Sequence, residues 1–311
     1  MHIVKPTVAV WMVTYNHADF IEQAIESVMM QQTDFEYHLF IGEDCSTDNT
    51  REICKKLKTK YSNKITLILN ETNLGGRENA CNVYRKCIES EAKYIALLEG
   101  DDFWTNTQKL QKQVGFLEAN PMHSFCWTRF QTLDQKTQEL TLDFNDKHFP
   151  KNEKEIDFDF EKSLKGWHMG TQTLLLRSVF FDLERLNKFK YFRDVHIITQ
   201  LLKKGKGACL NFVGAAYRVH DEGMHTSVTE YEGYKIGYNC NKEIYNDNKQ
   251  NVFVKKKYML AFQNFININI QQNYLFKAFW MSLKLFFIQG SMLSVLRNFK
   301  RILTKGLKRN T

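Results

Sequence analysis

Within the first hundred residues, apolar strand-like runs and helix-period segments alternate four times, and this alternation limits the fold more than any other feature. Val8 to Val13 is a continuous apolar run with β-branched members, the pattern of a strand buried on both faces. Thr14 to Asp19 then reads as a loop. Phe20, Ile21, Ala24, Ile25 and Val28 recur at helical spacing and predict a helix over 19–30. Tyr37 to Ile41 predicts a second strand. Thr50 to Tyr61 predicts a second helix with Ile53, Leu57 and Tyr61 on one face. Ile65–Leu69, Asn79–Ser90 and Tyr94–Leu98 continue as strand, helix and strand. Such alternation requires crossover connections. It predicts an α/β/α sandwich around a mainly parallel, Rossmann-like sheet. Ligands of such sheets bind outside the carboxyl ends of the strands. Three polar clusters fall there: Thr14-Tyr15-Asn16, Glu43-Asp44 and Glu99-Gly100-Asp101-Asp102. After Asp102 the pattern is less regular. Leu174–Leu176 and Asn211–Val219 read as strands and Val195–Leu202 as a helix. From about Tyr231 onward the chain reads as helical.

An apolar content of 43% with 25% charged residues, spread over 311 residues, suits one large core with an appendage. The seven cysteines are odd in number and include no C-x-x-C pair. This argues against a disulfide scaffold and a zinc site and predicts free thiols in a reducing, cytoplasmic compartment. The first residues lack the apolar stretch and cleavage site of a signal peptide, so the mature chain is expected to start at or near Met1. The net charge of +8 is uneven. From Phe253 onward there are eleven Lys and Arg and no acidic residue, which leaves −3 on the first 252 residues. A mildly acidic body with a basic tail does not describe a nucleic-acid-binding surface.

Carboxylates crowded at one strand end are costly unless a cation or solvent compensates them. Glu99, Asp101 and Asp102 therefore read either as hard oxygen ligands for Mg²⁺ or Mn²⁺ or as a solvated acidic turn. Asp44 lies at the mouth of the second strand, where its oxygens could accept from a base N–H. Thr47 and Asp48 read as caps of the helix that follows.

The chain resembles family 2 glycosyltransferases, of the bacterial surface-polysaccharide type, through four motifs in family order. Val10–Asn16 (V-W-M-V-T-Y-N) with the helix from Phe20 resembles their opening, and Ile41–Thr50 (I-G-E-D-C-S-T-D-N-T) their second-strand motif. Asn73-Leu74-Gly75 resembles the N-x-G turn, and Leu98–Trp104 (L-E-G-D-D-F-W) the D-x-D region. Four such matches in order are far more specific than one. The resemblance implies a GT-A fold over residues 1–230, with the nucleotide in the half up to about residue 104 and the acceptor in 105–230. It implies an inverting transfer from a UDP-sugar to a hydroxyl of a glycan or lipid-linked glycan. Thr14, Asn16, Asp44, Asn73, Gly75 and Asp101 would hold the nucleotide-sugar. Asp101, Asp102 and His220, from the Y-R-V-H segment Tyr217–His220, would hold a divalent metal, Mn²⁺ or Mg²⁺. Glu99 stands where the first Asp of D-x-D is common, which leaves open which carboxylate binds the metal. Asp194 matches the family's acceptor-side base, although Asp before an apolar helix is also a common cap. Trp104, Thr171 and Gln172 would meet the acceptor, although core packing accounts for Trp104 almost as well. Arg218 reads as a phosphate partner or a structural ion pair, and Arg77 as a phosphate partner or part of a plain turn.

Two other functions fit parts of the pattern. A nucleotidyltransferase making nucleotide-sugars would carry a Gly-rich basic loop after the first strand, where this chain has Thr14-Tyr15-Asn16-His17. A non-catalytic nucleotide- or membrane-binding module would bind without turnover. In the extension 231–311, Tyr274–Ile288 is interrupted by Lys277 and Lys284 and is shorter than the ~20 residues of a spanning helix. It reads either as a helix peripheral on the inner face of an anionic membrane or as one docked on protein.

Overall fold

In this computed structural model the described residues are 5–150, 152–221, 223 and 228–307, with backbone only at 146, 306 and 307. Lys308 and Arg309, two of the eleven basic residues of the tail, lie outside them. The chain forms two compact units. One comprises the residues up to Lys188 together with Ile197–His220. The other comprises Phe189–His196 and the chain from Asp221 onward.

The first unit opens with β1 (Val8–Thr14), α1 (Ile21–Met29), β2 (Tyr37–Glu43), α2 (Thr50–Lys60), β3 (Ile65–Leu69), α3 (Gly76–Glu89) and β4 (Tyr94–Glu99). It continues through β5 (Phe103–Trp104), α4 (Lys109–Ala119), β6 (His123–Asp134), β7 (Leu140–Leu142), β8 (Glu155–Phe158), β9 (Leu175–Arg177) and α5 (Leu183–Asn187). It closes with α6 (Asp194–Leu202), whose first three residues belong to the other unit, and β10 (Lys206–Val219). The strands form one ten-stranded sheet in the order β3-β2-β1-β4-β9-β6-β10-β5, with β7 on β6 and β8 on β10. The first four strands are parallel, as the crossovers require. Beyond β4 the sheet is mixed: β9 runs antiparallel to β4 and β6, while β6 and β10 pair in parallel along nearly their whole length.

Register decides where the polar clusters fall. Val8 stands opposite Tyr37 on one side and Tyr94 on the other, which sets Thr14 against Glu43 and Val13 against Glu99. All three clusters therefore leave the sheet at one carboxyl edge. The strands are anchored by Val10, Met12, Ile21, Ile25, Leu39, Ile41 and Leu98, each fully buried. On the α3 side, Gly42 has no room for a side chain. A Cβ there would lie 2.4 Å from both Asn79 Oδ1 and Val83 Cγ2. Asn79 donates to the Gly42 carbonyl (2.9 Å) and accepts from Asn70 (3.1 Å).

The second unit contains α7 (Glu230–Asp247), α8 (Val252–Gln271), α9 (Leu275–Gln289) and α10 (Met292–Leu307). Thr229 Oγ1 caps α7, and Asn251 Oδ1 caps α8 by accepting from Phe253 and Val254 N–H. Gly290, at φ 72°, ends α9 in the left-handed conformation that glycine adopts without strain. Tyr258, Phe262, Phe265, Met281 and Leu285 form this unit's own core. The segment Phe189–His196 joins it through Lys190 and Tyr191 N–H, which donate to the two oxygens of Glu243 at 3.0 Å. Among the described residues no helix is long and apolar enough to cross a membrane.

Gly42→Ala forces Asn79 or α3 to shift in a close-packed layer and is expected to cost about 1–3 kcal/mol. Urea unfolding measures this, and an unchanged midpoint would contradict the tight fit.

Candidate active site

β1 delivers Thr14 to the carboxyl edge, and β4 continues into Gly100 and Asp101. Gly100 is required by close approach: a Cβ there would lie 2.8 Å from Thr14 Oγ1 and 3.0 Å from His17 Nδ1. Thr14 is 2% exposed, and its Oγ1 is buried without a hydrogen-bond partner among the described residues. A hydroxyl in that state is normally satisfied by something absent from the protein itself. Beside it, Asp101 Oδ2 lies 3.3 Å from His220 Nε2 and 3.8 Å from His17 Nε2. The two imidazoles meet edge to face at 6.3 Å, and Phe20 packs against His220 at 4.6 Å. Burial pushes the Asp101 carboxyl up, but the hydrogen bond to His220 and the nearby His17 outweigh it and hold the carboxyl below its ordinary value. His17 was passed over in the sequence as a loop residue. Its signal was position, three residues after a strand end already marked as polar.

Asp102 points the other way. It is 3% exposed, and its Oδ1 accepts the Arg218 backbone N–H at 2.8 Å. Burial, with the charges of Asp101 and Glu99 adding to it, raises this carboxyl well above the ordinary range. The side chain of Arg218 donates from Nε to the Asp101 carbonyl (2.8 Å) and from its two terminal nitrogens to Gln135 and Gln23. Phe20 and Phe103 flank the guanidinium at 4.8 and 5.2 Å. With these partners Arg218 is a structural bolt and not a ligand for phosphate. A divalent cation carried on a diphosphate needs only one or two protein ligands. Among the described residues no cage of three or more His, Cys, Asp and Glu is preformed. The pair Asp101 Oδ2 and His220 Nε2 suits a cation of that kind, whereas Asp102 is turned inward.

Asp44, 2% exposed, straps the following turn. Oδ1 accepts from Asn70 Nδ2 (2.8 Å) and Leu74 N–H (2.9 Å), and Oδ2 accepts from Gly75 N–H (2.9 Å). Asn73 Oδ1 also accepts from Gly75 N–H at 2.9 Å, and Gly75 adopts φ 83°. Asn16, at φ 55°, ties the loop after β1 to that after β2: its N–H donates to Ser46 Oγ, and its Oδ1 accepts from Thr47 N–H at 2.9 Å. The N-cap of α2 is Asn49, which makes no side-chain cap; Asp48, one residue earlier, accepts the Thr50 N–H at 3.0 Å, and Thr47 does not cap the helix. Arg77 donates to the Asn187 carbonyl at 2.7 Å, which engages the group considered for phosphate.

Comparison with known proteins identifies the family. The model for glycosyl transferase family 2 matches residues 9–183, from β1 to the start of α5. The chain belongs to glycosyltransferase family 2. A putative teichuronic acid biosynthesis glycosyltransferase, TuaG of Bacillus subtilis, is 29% identical over 217 residues, 69% of this chain and 80% of its own length. An uncharacterized protein of Mycobacterium tuberculosis is 34% identical over 115 residues, 37% of this chain, so the chain matches only 32% of that relative's length. The structure of Staphylococcus aureus TarS 1–349 in complex with UDP aligns over 98% of this chain and 92% of that one, with a TM-score of 0.59 at 14% identity. The mannosyltransferase PcManGT from Pyrobaculum calidifontis, in complex with GDP-Man and Mn²⁺, aligns over 98% and 87% with a TM-score of 0.53 at 13% identity. The fold is GT-A.

The residues expected on the acceptor side meet different fates. Trp104 is 1% exposed and donates its indole N–H to the Gln172 carbonyl at 2.8 Å, so its ring is core and offers no face to a sugar. Thr171 and Gln172 lie in the short 3₁₀ turn Thr171–Thr173, where Gln172 Nε2 is buried without a partner among the described residues. Asp194 opens α6 in the second unit. It is exposed, and its Oδ1 accepts its neighbour's N–H, Val195, at 2.8 Å. Nothing in the sequence pattern marks Lys109. It is fully buried, with Nζ 4.1 Å over the Trp104 ring and 2.8 Å from Gln113 Oε1, and Gln113 donates to the Thr173 carbonyl.

Burial brings the Lys109 ammonium down to about 7. Unfolded, a lysine holds its proton to about 10.4. Between about pH 7 and 10 the unfolded chain therefore binds more protons, and stability rises with pH, being lowest below 7. Lys109→Met is expected to add about 1–3 kcal/mol at pH 6 and to flatten that slope. Urea titrations at several pH values test it; parallel profiles for the two proteins would contradict a buried, titrating amine.

Proposed function

We propose that this chain transfers a sugar from a UDP-linked donor to a hydroxyl of a glycan or lipid-linked glycan, with inversion and with a divalent cation, Mn²⁺ or Mg²⁺, on the donor diphosphate. The observation that carries the reading is the meeting of Asp101 with His220 beside the buried Thr14 hydroxyl, at the carboxyl edge of a family 2 domain. Thr14 Oγ1 takes a hydrogen bond with the nucleotide. Asp44 holds the 73–75 turn as the wall of that site, and the second lone pair of Oδ2 remains for a base N–H. Asp101 and His220 would hold the cation, which when bound supplies Lewis-acid stabilisation of the departing diphosphate. His17 stands on the same edge, within reach of the same charge.

The acceptor oxygen attacks the anomeric carbon, and the bond from that carbon to the diphosphate oxygen breaks. UDP leaves with the electron pair. Asp194 takes the acceptor's proton as general base. Like the acceptor class, this role rests on family resemblance and on an exposed carboxylate at the head of α6. The relatives support the donor and polymer classes: TarS is named a poly(ribitol-phosphate) β-N-acetylglucosaminyltransferase and was crystallised with UDP. The loop Thr14-Tyr15-Asn16-His17 holds no Gly, Lys or Arg, which favours sugar transfer over nucleotide-sugar synthesis. The free cysteines favour the cytoplasmic side of the membrane.

Donor hydrolysis and transfer across a panel of nucleotide-sugars, with Mn²⁺ or with EDTA, test the proposal. A UDP-sugar is expected to turn over only with metal. Asp194→Asn is expected to lower kcat about 10²–10⁴-fold while leaving UDP binding within a few-fold. Turnover of no donor, or full activity in Asp194→Asn, would overturn it.

A further inference from the structure

The second unit leaves two apolar stripes uncovered. On α9, Phe276, Trp280, Leu283 and Phe287 follow one another at helical spacing, with Phe276 78% and Phe287 84% exposed. On α10, Met292, Leu296 and Leu303 are exposed at the same spacing, with Leu293 beside them at 76% exposure and Phe299 half-buried at the edge toward α9. The face of α10 that packs inward is another one, carrying Val295 and Asn298. The stripes are joined where Phe279 stacks on Phe299 at 4.7 Å. Scattered exposed apolar residues are ordinary, but two adjoining stripes of large side chains form a patch of the kind that marks an interaction surface.

The border of the patch is basic. Lys277 and Lys284 flank the stripe on α9. Arg297 and Lys300 flank that on α10, and Lys300, Arg301 and Lys305 line a groove between α10 and α8. No acidic residue occurs in α8, α9 or α10 to offset them. A protein partner would be met mainly by shape. Aromatic and leucine side chains ringed by cations with long aliphatic stems match the boundary between acyl chains and anionic headgroups. We propose that α9 and α10 lie on an anionic lipid bilayer, with the two stripes in the acyl–headgroup boundary and Arg297 and Lys300 on the lipid phosphates. This surface is independent of the sugar-transfer reading, although it would bring the enzyme to lipid-linked acceptors.

Sedimentation of the full chain with vesicles of phosphatidylcholine alone, or of equimolar phosphatidylcholine and phosphatidylglycerol, tests the proposal. Binding is expected only with phosphatidylglycerol and is expected to weaken with salt. Each neutralised cation at the surface, in Arg297→Gln or Lys300→Gln, is expected to lower partitioning about fivefold, and the pair about 25-fold. Phe276→Ser with Leu293→Ser is expected to abolish sedimentation without lowering the thermal midpoint. The blue shift of tryptophan emission on binding is expected to vanish in Trp280→Phe. Equal binding to phosphatidylcholine vesicles, or unchanged partitioning of the exposed charge variants, would overturn the proposal. So would displacement by inorganic phosphate, or a dimer dissolved by Phe276→Ser.

Discussion

Arg218 holds together two parts of the chain more than a hundred residues apart, and the candidate site exists because of it. Its backbone N–H reaches Asp102, its Nε reaches the Asp101 carbonyl, and its remaining nitrogens reach Gln23 and Gln135. The group is 5% exposed, and the neighbouring Asp101 carboxylate offsets part of its charge. A buried, fully hydrogen-bonded cation is geometrically demanding, since loss of any partner leaves an unsatisfied group at about 1–3 kcal/mol. The end of β10 is thereby fixed against the end of β4, and His220, two residues on, is set against Asp101.

That constraint divides the labour among adjacent acids. Asp102 is turned inward, where burial and its acidic neighbours favour its neutral form. Asp101 keeps its charge beside two imidazoles. One motif thus supplies an anchor and the carboxylate proposed to hold the cation, and the tether between them is a single peptide. Asp44 shows the same economy on β2. It stabilises the turn proposed to wall the nucleotide site, and such preorganisation limits what binding must order.

The parallel half of the sheet was legible because its strands are apolar throughout and its helices are amphipathic; 65–69 and 50–60 fell within a residue of their predicted bounds. The second half was less so. β6 carries His123, Ser124, Thr128 and Arg129 in a stretch buried on both faces, so neither alternation nor a purely apolar run marks it. The acidic clusters were visible as such, but their orientations were not. Asp101 and Asp102 differ only in which face of the turn they leave, and a backbone bond from Arg218 decides that. Trp104 stayed open between acceptor contact and core packing because an aromatic after an acidic motif carries no label for burial; its indole N–H donates to Gln172 across the core. His17 became meaningful only when Gly100 brought β4 against it.

The most direct test of the central claim is a crystal structure of the chain with UDP and Mn²⁺, with the metal located by its anomalous scattering. The account predicts the cation bound by Asp101 Oδ2 and His220 Nε2, Asp102 still on the Arg218 amide, and the nucleotide against Thr14. A metal held elsewhere, or a nucleotide that leaves the Thr14 hydroxyl untouched, would contradict it.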